Sequence, residues 1–110
     1  MDFSYKNRKL EKELSDERAM KKAYGERVRA LQNRIAILDT AERLSDVPTG
    51  PPDWLEQLKG DRDKQFSVVL GKNWRLIFEI DHDPIPHLTN GGIDLEKVTA
   101  IRFVEVVDYH

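Results

Sequence analysis

Between Lys6 and about Arg43 apolar residues recur at spacings of three and four: Leu10 and Leu14, then Val28, Leu31, Ile35 and Leu38, with Arg27, Arg29, Gln32, Asn33 and Arg34 between them. That period predicts amphipathic helix, one face apolar and the other charged. Ser15 ahead of Asp16, Glu17 and Arg18 reads as an N-cap followed by acids in a first turn, so a short helix should end there and a long one begin, folding as a helical hairpin. Asp2 to Tyr5, short and aromatic, suits an edge strand. From Ser45 to Pro52 the run Ser-Asp-Val-Pro-Thr-Gly-Pro-Pro cannot continue a helix, because each proline removes a donor and pushes its predecessor toward extended geometry.

Beyond that joint the period becomes two. Phe66 to Leu70 is a short apolar strand, and Trp74, Leu76, Phe78 and Ile80 alternate with Asn73, Arg75, Ile77 and Glu79, with Gly71 and Lys72 at hairpin distance between the runs. A third strand, about Val98 to Val107, is apolar on both alternations and belongs inside a sheet. It follows a long loop, Asp81 to Glu96, containing Pro84, Pro86 and Asn90-Gly91-Gly92. The expectation is one α+β domain over residues 1–110, with two N-terminal helices on one face of a small, largely antiparallel sheet. Trp74, Leu76, Phe78 and Ile80 should then face the helices and Arg75 the open side. The same alternation puts Asp108 and His110 on one side of the last strand and Tyr109 on the other.

Composition adds exclusions. The sequence has 110 residues, 35% charged, and no cysteine, which removes disulfides, thiolate catalysis and cysteine-ligated metals. No apolar run approaches a membrane span and no signal-peptide order opens the chain, so a cytoplasmic protein is expected. Net charge is −2, divided unevenly: residues 1–50 carry eleven Lys/Arg against nine Asp/Glu, residues 51–110 seven against eleven. Bulk charge does not suit nucleic-acid binding, so any polyanion site must be a local cluster.

Such a cluster is present. Leu58-Lys59-Gly60-Asp61-Arg62 places two cations in a turn before the hairpin, with Lys64 nearby and Arg75 on the open face. Guanidinium forks and ammonium groups suit phosphate oxygens, although Asp61 and Arg62 could equally pair in a polar turn. The last three residues, Asp108, Tyr109 and His110, add an acid, a phenol and the one side chain that titrates near neutrality unaided. Glu56 could serve as a second proton-transfer group, or be an ordinary surface glutamate. Asp81-His82-Asp83 with His87 offers oxygen and nitrogen ligands at a spacing that matches no metal motif, so neither metal nor cofactor is expected. Tyr5, Tyr24, Trp54, Trp74 and Phe103 are assigned to packing.

Leu58-Lys59-Gly60-Asp61-Arg62, Phe66-Ser67-Val68, Asn73-Trp74-Arg75-Leu76-Ile77-Phe78-Glu79 and Glu105-Val106-Val107-Asp108-Tyr109-His110, in this order, resemble HigB toxins of the RelE superfamily. The loop Asn90-Gly91-Gly92-Ile93-Asp94-Leu95 is similar to that of a subgroup with a longer hairpin, and Ser4-Tyr5 and Arg8-Lys9-Leu10 are compatible.

The resemblance implies a RelE-like fold and the toxin of a type II toxin–antitoxin pair. It implies a metal-independent endoribonuclease that cuts mRNA on the ribosome by attack of a 2′-hydroxyl on the adjacent phosphate. Lys59 and Arg75 would stabilise the phosphorane, while Asp108, Tyr109 and His110 would position the nucleotide and move protons. The partner would be a HigA-like helix-turn-helix antitoxin, through which alone the toxin would reach operator DNA. One departure stands out: Glu56 occupies a position where many members carry a histidine, and a carboxylate is a poor general acid at neutral pH unless desolvated. Two alternatives compete with this reading, a toxin of the same fold that inhibits DNA gyrase by binding, and a degenerate toxin acting only with its antitoxin in transcriptional regulation.

Overall fold

The computed structural model describes residues 1–51 and 55–109; Pro52, Asp53, Trp54 and His110 lie outside the described residues. The chain runs β1 (Asp2–Tyr5), α1 (Arg8–Ser15), α2 (Glu17–Tyr24), α3 (Val28–Thr40), β2 (Glu56–Gln57), β3 (Gln65–Gly71), β4 (Trp74–Ile80) and β5 (Ala100–Asp108). The five strands form one sheet in the order β1-β5-β4-β3-β2. β2, β3, β4 and β5 pair antiparallel in turn, and β1 adds to β5 in parallel.

The break at Ser15 is present, with a different cap. Ser15 is the last residue of α1, its Oγ donating to the Glu11 carbonyl, and Asp16 ends one helix and starts the next. The cap of α1 is Asn7, whose Oδ1 accepts from the Leu10 amide at 2.9 Å, as a short polar side chain does at a helix start. The expected long helix is divided. Gly25 takes φ +56, where a side chain would be strained, and a 3-10 turn over Gly25–Arg27 separates α2 from α3.

One core holds these elements together. Leu10, Leu14, Met20, Leu31 and Leu38 from the helices pack with Phe66, Val68, Leu70, Leu76, Phe78, Ile80, Ile101 and Phe103 from the strands. Phe78 and Phe103 are fully buried and meet edge to face at 6.5 Å between ring centroids. Removing such a side chain from water contributes about 1.5–3 kcal/mol. Arg34 breaks the amphipathic pattern. Expected on the charged face of its helix, it is buried, and its Nε donates to the Val69 carbonyl at 2.7 Å, tying α3 to β3.

Two irregularities in the sheet interrupt its alternation. Between Val69 and Gly71, β3 carries one residue more than β4. In β5 the extra residue is Val104, because Phe103 pairs with Phe78 while Glu105 pairs with the adjacent Ile77. A bulge of this kind resets which side chains face which way. Upstream of it Ile101 and Phe103 point into the core; downstream Glu105, Val107 and Tyr109 take the opposite face, while Val106 returns to the core and Asp108 sits opposite Trp74.

The loop from residue 81 to residue 99 is tied to the sheet. Ser4 Oγ donates to Asp81 Oδ2 at 2.9 Å, and the Thr99 amide donates to His82 Nε2 at 3.0 Å, so this histidine spends a ring nitrogen on the backbone.

Candidate functional site

The site residues are positioned by three elements on the face of the sheet away from the main core. Arg62 closes the 3-10 turn Gly60–Arg62 between β2 and β3, where Gly60 adopts φ +66. Its NH1 donates to Gln65 Oε1 at 3.1 Å and its NH2 to Glu105 Oε1 at 2.6 Å. Gln65 is in β3 and Glu105 in β5, so the guanidinium lies above β4. It does not pair with Asp61, the neighbour that a local polar turn would have used. Beneath it Ser67 and Ile77, opposite one another in β3 and β4, have no exposure, so the face is closed there.

Tyr109 completes the cluster. Its amide donates to the Asn73 carbonyl at 2.7 Å, continuing the β4–β5 pairing one residue beyond the strand. The guanidinium carbons of Arg62 and Arg75 stand 5.7 and 6.0 Å from the centre of its ring, within cation–π range. Arg75 folds back on its hairpin, its NH1 donating to the Lys72 and Trp74 carbonyls at 3.4 Å each, long bonds that leave it easily redirected. An aromatic ring with two guanidinium groups close to it offers a stacking surface and anion donors at one place, as binding of a single-stranded nucleotide requires.

The other expected residues are distributed differently. Glu56 is exposed in β2, its Cα opposite Ser67, so it shares the face of Ile77 and Glu105 across the sheet. Lys59 is exposed at the start of the Gly60–Arg62 turn, and Lys64 is exposed with φ +70. Among the described residues Lys59, Lys64 and Glu56 enter no ion pair. Asp108 lies opposite Trp74, whose ring carries the Arg27 guanidinium at 4.0 Å, on the helical side of the sheet. Strand alternation separates it from Tyr109, and the bulge decides that Asp108 is the one on the helical side. His110 follows Tyr109 in the sequence and lies outside the described residues.

Sequence reasoning missed Glu105 and Gln65. Both read as ordinary polar residues of a strand, and only the return of β5 beside β4 brings Glu105, forty-three positions away, against Arg62. The alternating pattern that located Arg75 gives no sign of the bulge at Val104.

A small α+β domain with an aromatic ring and two nearby guanidinium groups on one sheet face is the class these features define. The family model for RelE-like toxins of the type II toxin–antitoxin system HigB matches residues 3–89, and the chain belongs to that family. The match takes in Glu56, Lys59, Arg62 and Arg75. No curated protein is similar enough to match the chain. A type II toxin works with an antitoxin partner. Among the described residues no helix is long and apolar enough to cross a membrane.

Proposed function

We propose that the chain is the RNA-cleaving toxin of its pair, acting in the cytoplasm on mRNA held by the ribosome and restrained by a HigA-like helix-turn-helix antitoxin that also supplies operator binding. The observation that carries this reading is the gathering of the Arg62 and Arg75 guanidinium groups at 5.7 and 6.0 Å from the centre of the Tyr109 ring, the residue that precedes His110 in the sequence.

In this reading a nucleotide base stacks on Tyr109 while the adjoining phosphate takes hydrogen bonds from Arg75 and Arg62, with Lys59 and Lys64 adding positive charge along the strand. The ribose 2′-hydroxyl loses its proton and attacks phosphorus; the P–O5′ bond breaks, leaving a 2′,3′-cyclic phosphate, and the departing 5′-oxygen gains a proton. Charge that develops on the non-bridging oxygens meets cations already in place, usually the largest single contribution to such catalysis. His110 is the group suited to proton transfer near neutral pH, with Asp108 or Glu56 as its carboxylate partner.

The test is expression of His110→Ala and Arg75→Ala beside the unaltered chain, with cleavage of mRNA in a translating extract as readout. Both variants should stay folded, lose growth inhibition and cut at least about 100-fold more slowly, the usual cost of removing one preorganised charge donor. Full toxicity of both would overturn the site. Inhibition of gyrase supercoiling by the unaltered chain without RNA cleavage would overturn the activity.

A further inference from the structure

We propose that Glu105 occupies the phosphate seat of Arg62 in the free protein, and that RNA has to displace it, so this one carboxylate sets how tightly the face holds its substrate. The inference rests on the reading of this face as an RNA site. Arg62 NH2 meets Glu105 Oε1 at 2.6 Å, the short separation of a charge-assisted bond. A carboxylate and a phosphate present the same pair of acceptor oxygens to a guanidinium, so the two compete for one fork.

Positioning of Arg62 does not require that charge. Gln65, a neutral acceptor three residues on, already holds the other arm through NH1. Glu105 therefore adds a negative charge beside the cations rather than the bond that aims them. The side chains of Arg62 and Glu105 are 29% and 37% exposed, enough for the pair to open toward a ligand without rebuilding the sheet. A phosphate seated between Arg62 and Arg75 would meet a like charge on β5 for as long as the pair stays closed.

The charge is also aimed by the fold. Without the bulge at Val104, Glu105 would continue the alternation of Ile101 and Phe103 into the core; with it, Glu105 stands on the face of Arg75 and Tyr109. Glu56, in β2, shares that face, but Glu105 is the carboxylate joined to a cation of the cluster.

The experiment measures binding of a 2′-O-methylated single-stranded oligoribonucleotide, which cannot be cut, to the unaltered chain, Glu105→Gln, Arg62→Ala, Arg75→Ala and the double variant Arg62→Ala/Glu105→Gln across a salt series. Glutamine keeps the shape and the hydrogen bond and removes the charge. Glu105→Gln should bind about threefold more tightly, the scale of one partly solvated ion pair. Its slope of log K against log salt should steepen by about 0.7, one more phosphate neutralised on a single strand. The gain should vanish in the Arg62→Ala background, because it acts through that arginine. Unchanged or weaker binding by Glu105→Gln, with Arg62→Ala and Arg75→Ala both impaired, overturns the role of Glu105 and leaves the RNA site standing. Undiminished binding by Arg62→Ala and Arg75→Ala overturns the site and this inference together.

Discussion

Two arginine–glutamate pairs lie on the face of the sheet away from the main core, and they do different things with the same chemistry. Arg102 in β5 and Glu79 in β4 are direct cross-strand partners, with Arg102 Nε 2.7 Å from Glu79 Oε1 and NH2 bonded to the same oxygen. Those hydrogen bonds push the Arg102 guanidinium above its already high pKa, and it serves as a strand-to-strand clasp at the end of the sheet where Ser4 bonds Asp81. Arg62 comes from a turn, reaches over β4 to Glu105 and stands beside Tyr109 and Arg75. The first pair joins neighbours that the sheet had already placed together. The second joins residues that only the turn geometry and the β5 bulge bring into reach, and it is surrounded by further donors.

The largest break of that comparison is deletion of Val107. With the bulge at Val104 kept, Asp108 and Tyr109 each move back by one position and exchange faces, so Tyr109 leaves Arg62 and Arg75 for the helical side of the sheet. Cleavage should be abolished, while the Arg62–Glu105 pair, upstream of the deletion, stays closed. A deletion variant that folds and still cuts RNA normally would show that the face of Tyr109 does not aim the site. Next in size is the contrast between Arg62→Ala and Arg102→Ala. The first should slow cleavage about 100-fold, the loss expected for removing one preorganised charge donor. The second should leave cleavage within about twofold, since Arg102 is occupied at the far end of the face. Equal losses from both would mean that the pairs serve alike.

The helical layer offers a third, smaller test. Tyr24 donates from its hydroxyl to Glu13 Oε1 at 2.8 Å, joining α2 to α1, and burial, aided by that bond and the Glu13 charge, raises the phenol's pKa. A raised pKa means that folding favours the protonated phenol. The resulting stability is fully present below the unfolded value of about 10 and is lost as pH rises beyond it. Tyr24→Phe should therefore lower stability by about 1 kcal/mol at neutral pH and by less above pH ~10, with RNA cleavage unchanged. The check is a urea melt of both proteins at pH 7 and pH 11; a constant difference between them would refute the assignment of the stabilisation to that hydroxyl.

These tests fall along the line between what the sequence made legible and what it did not. The period-two run Asn73–Ile80 predicted β4, starting one residue ahead of the strand, and with it the side of the sheet that Arg75 takes, because strand alternation is a local property. Asp2–Tyr5 was recognisable as an edge strand, although its parallel pairing with β5 depends on chain return and has no local signature. Arg34 reads as polar helix surface, yet the Val69 carbonyl gives it a buried bond that no helical period encodes. Lys59, Arg62 and Arg75 were identified as cations, but Glu105 was not seen as the partner of Arg62. An apolar run such as residues 103–107, interrupted only by Glu105, leaves the register free to slip by one, so the sequence placed Tyr109 on a face without showing that Asp108 would be turned to the helices.

The smallest effect separates the pairs most directly. A double-mutant cycle on Arg102→Ala and Glu79→Ala should return a coupling of about 0.5 kcal/mol or less, because Arg102 is exposed and an exposed cross-strand pair exchanges one hydrated charge contact for another. The coupling should shrink further at ~1 M salt, where the screening length falls to about 3 Å. The Arg62 and Glu105 cycle, read as RNA affinity, should be of similar size and opposite sense: the Arg102–Glu79 contact favours the fold, whereas the Arg62–Glu105 contact opposes the ligand. A coupling above about 2 kcal/mol for Arg102 and Glu79 would make that clasp a main support of the sheet. The sheet end carrying Arg62 and Tyr109 would then be the less constrained of the two, and substitutions at Glu105 should alter stability less than those at Glu79.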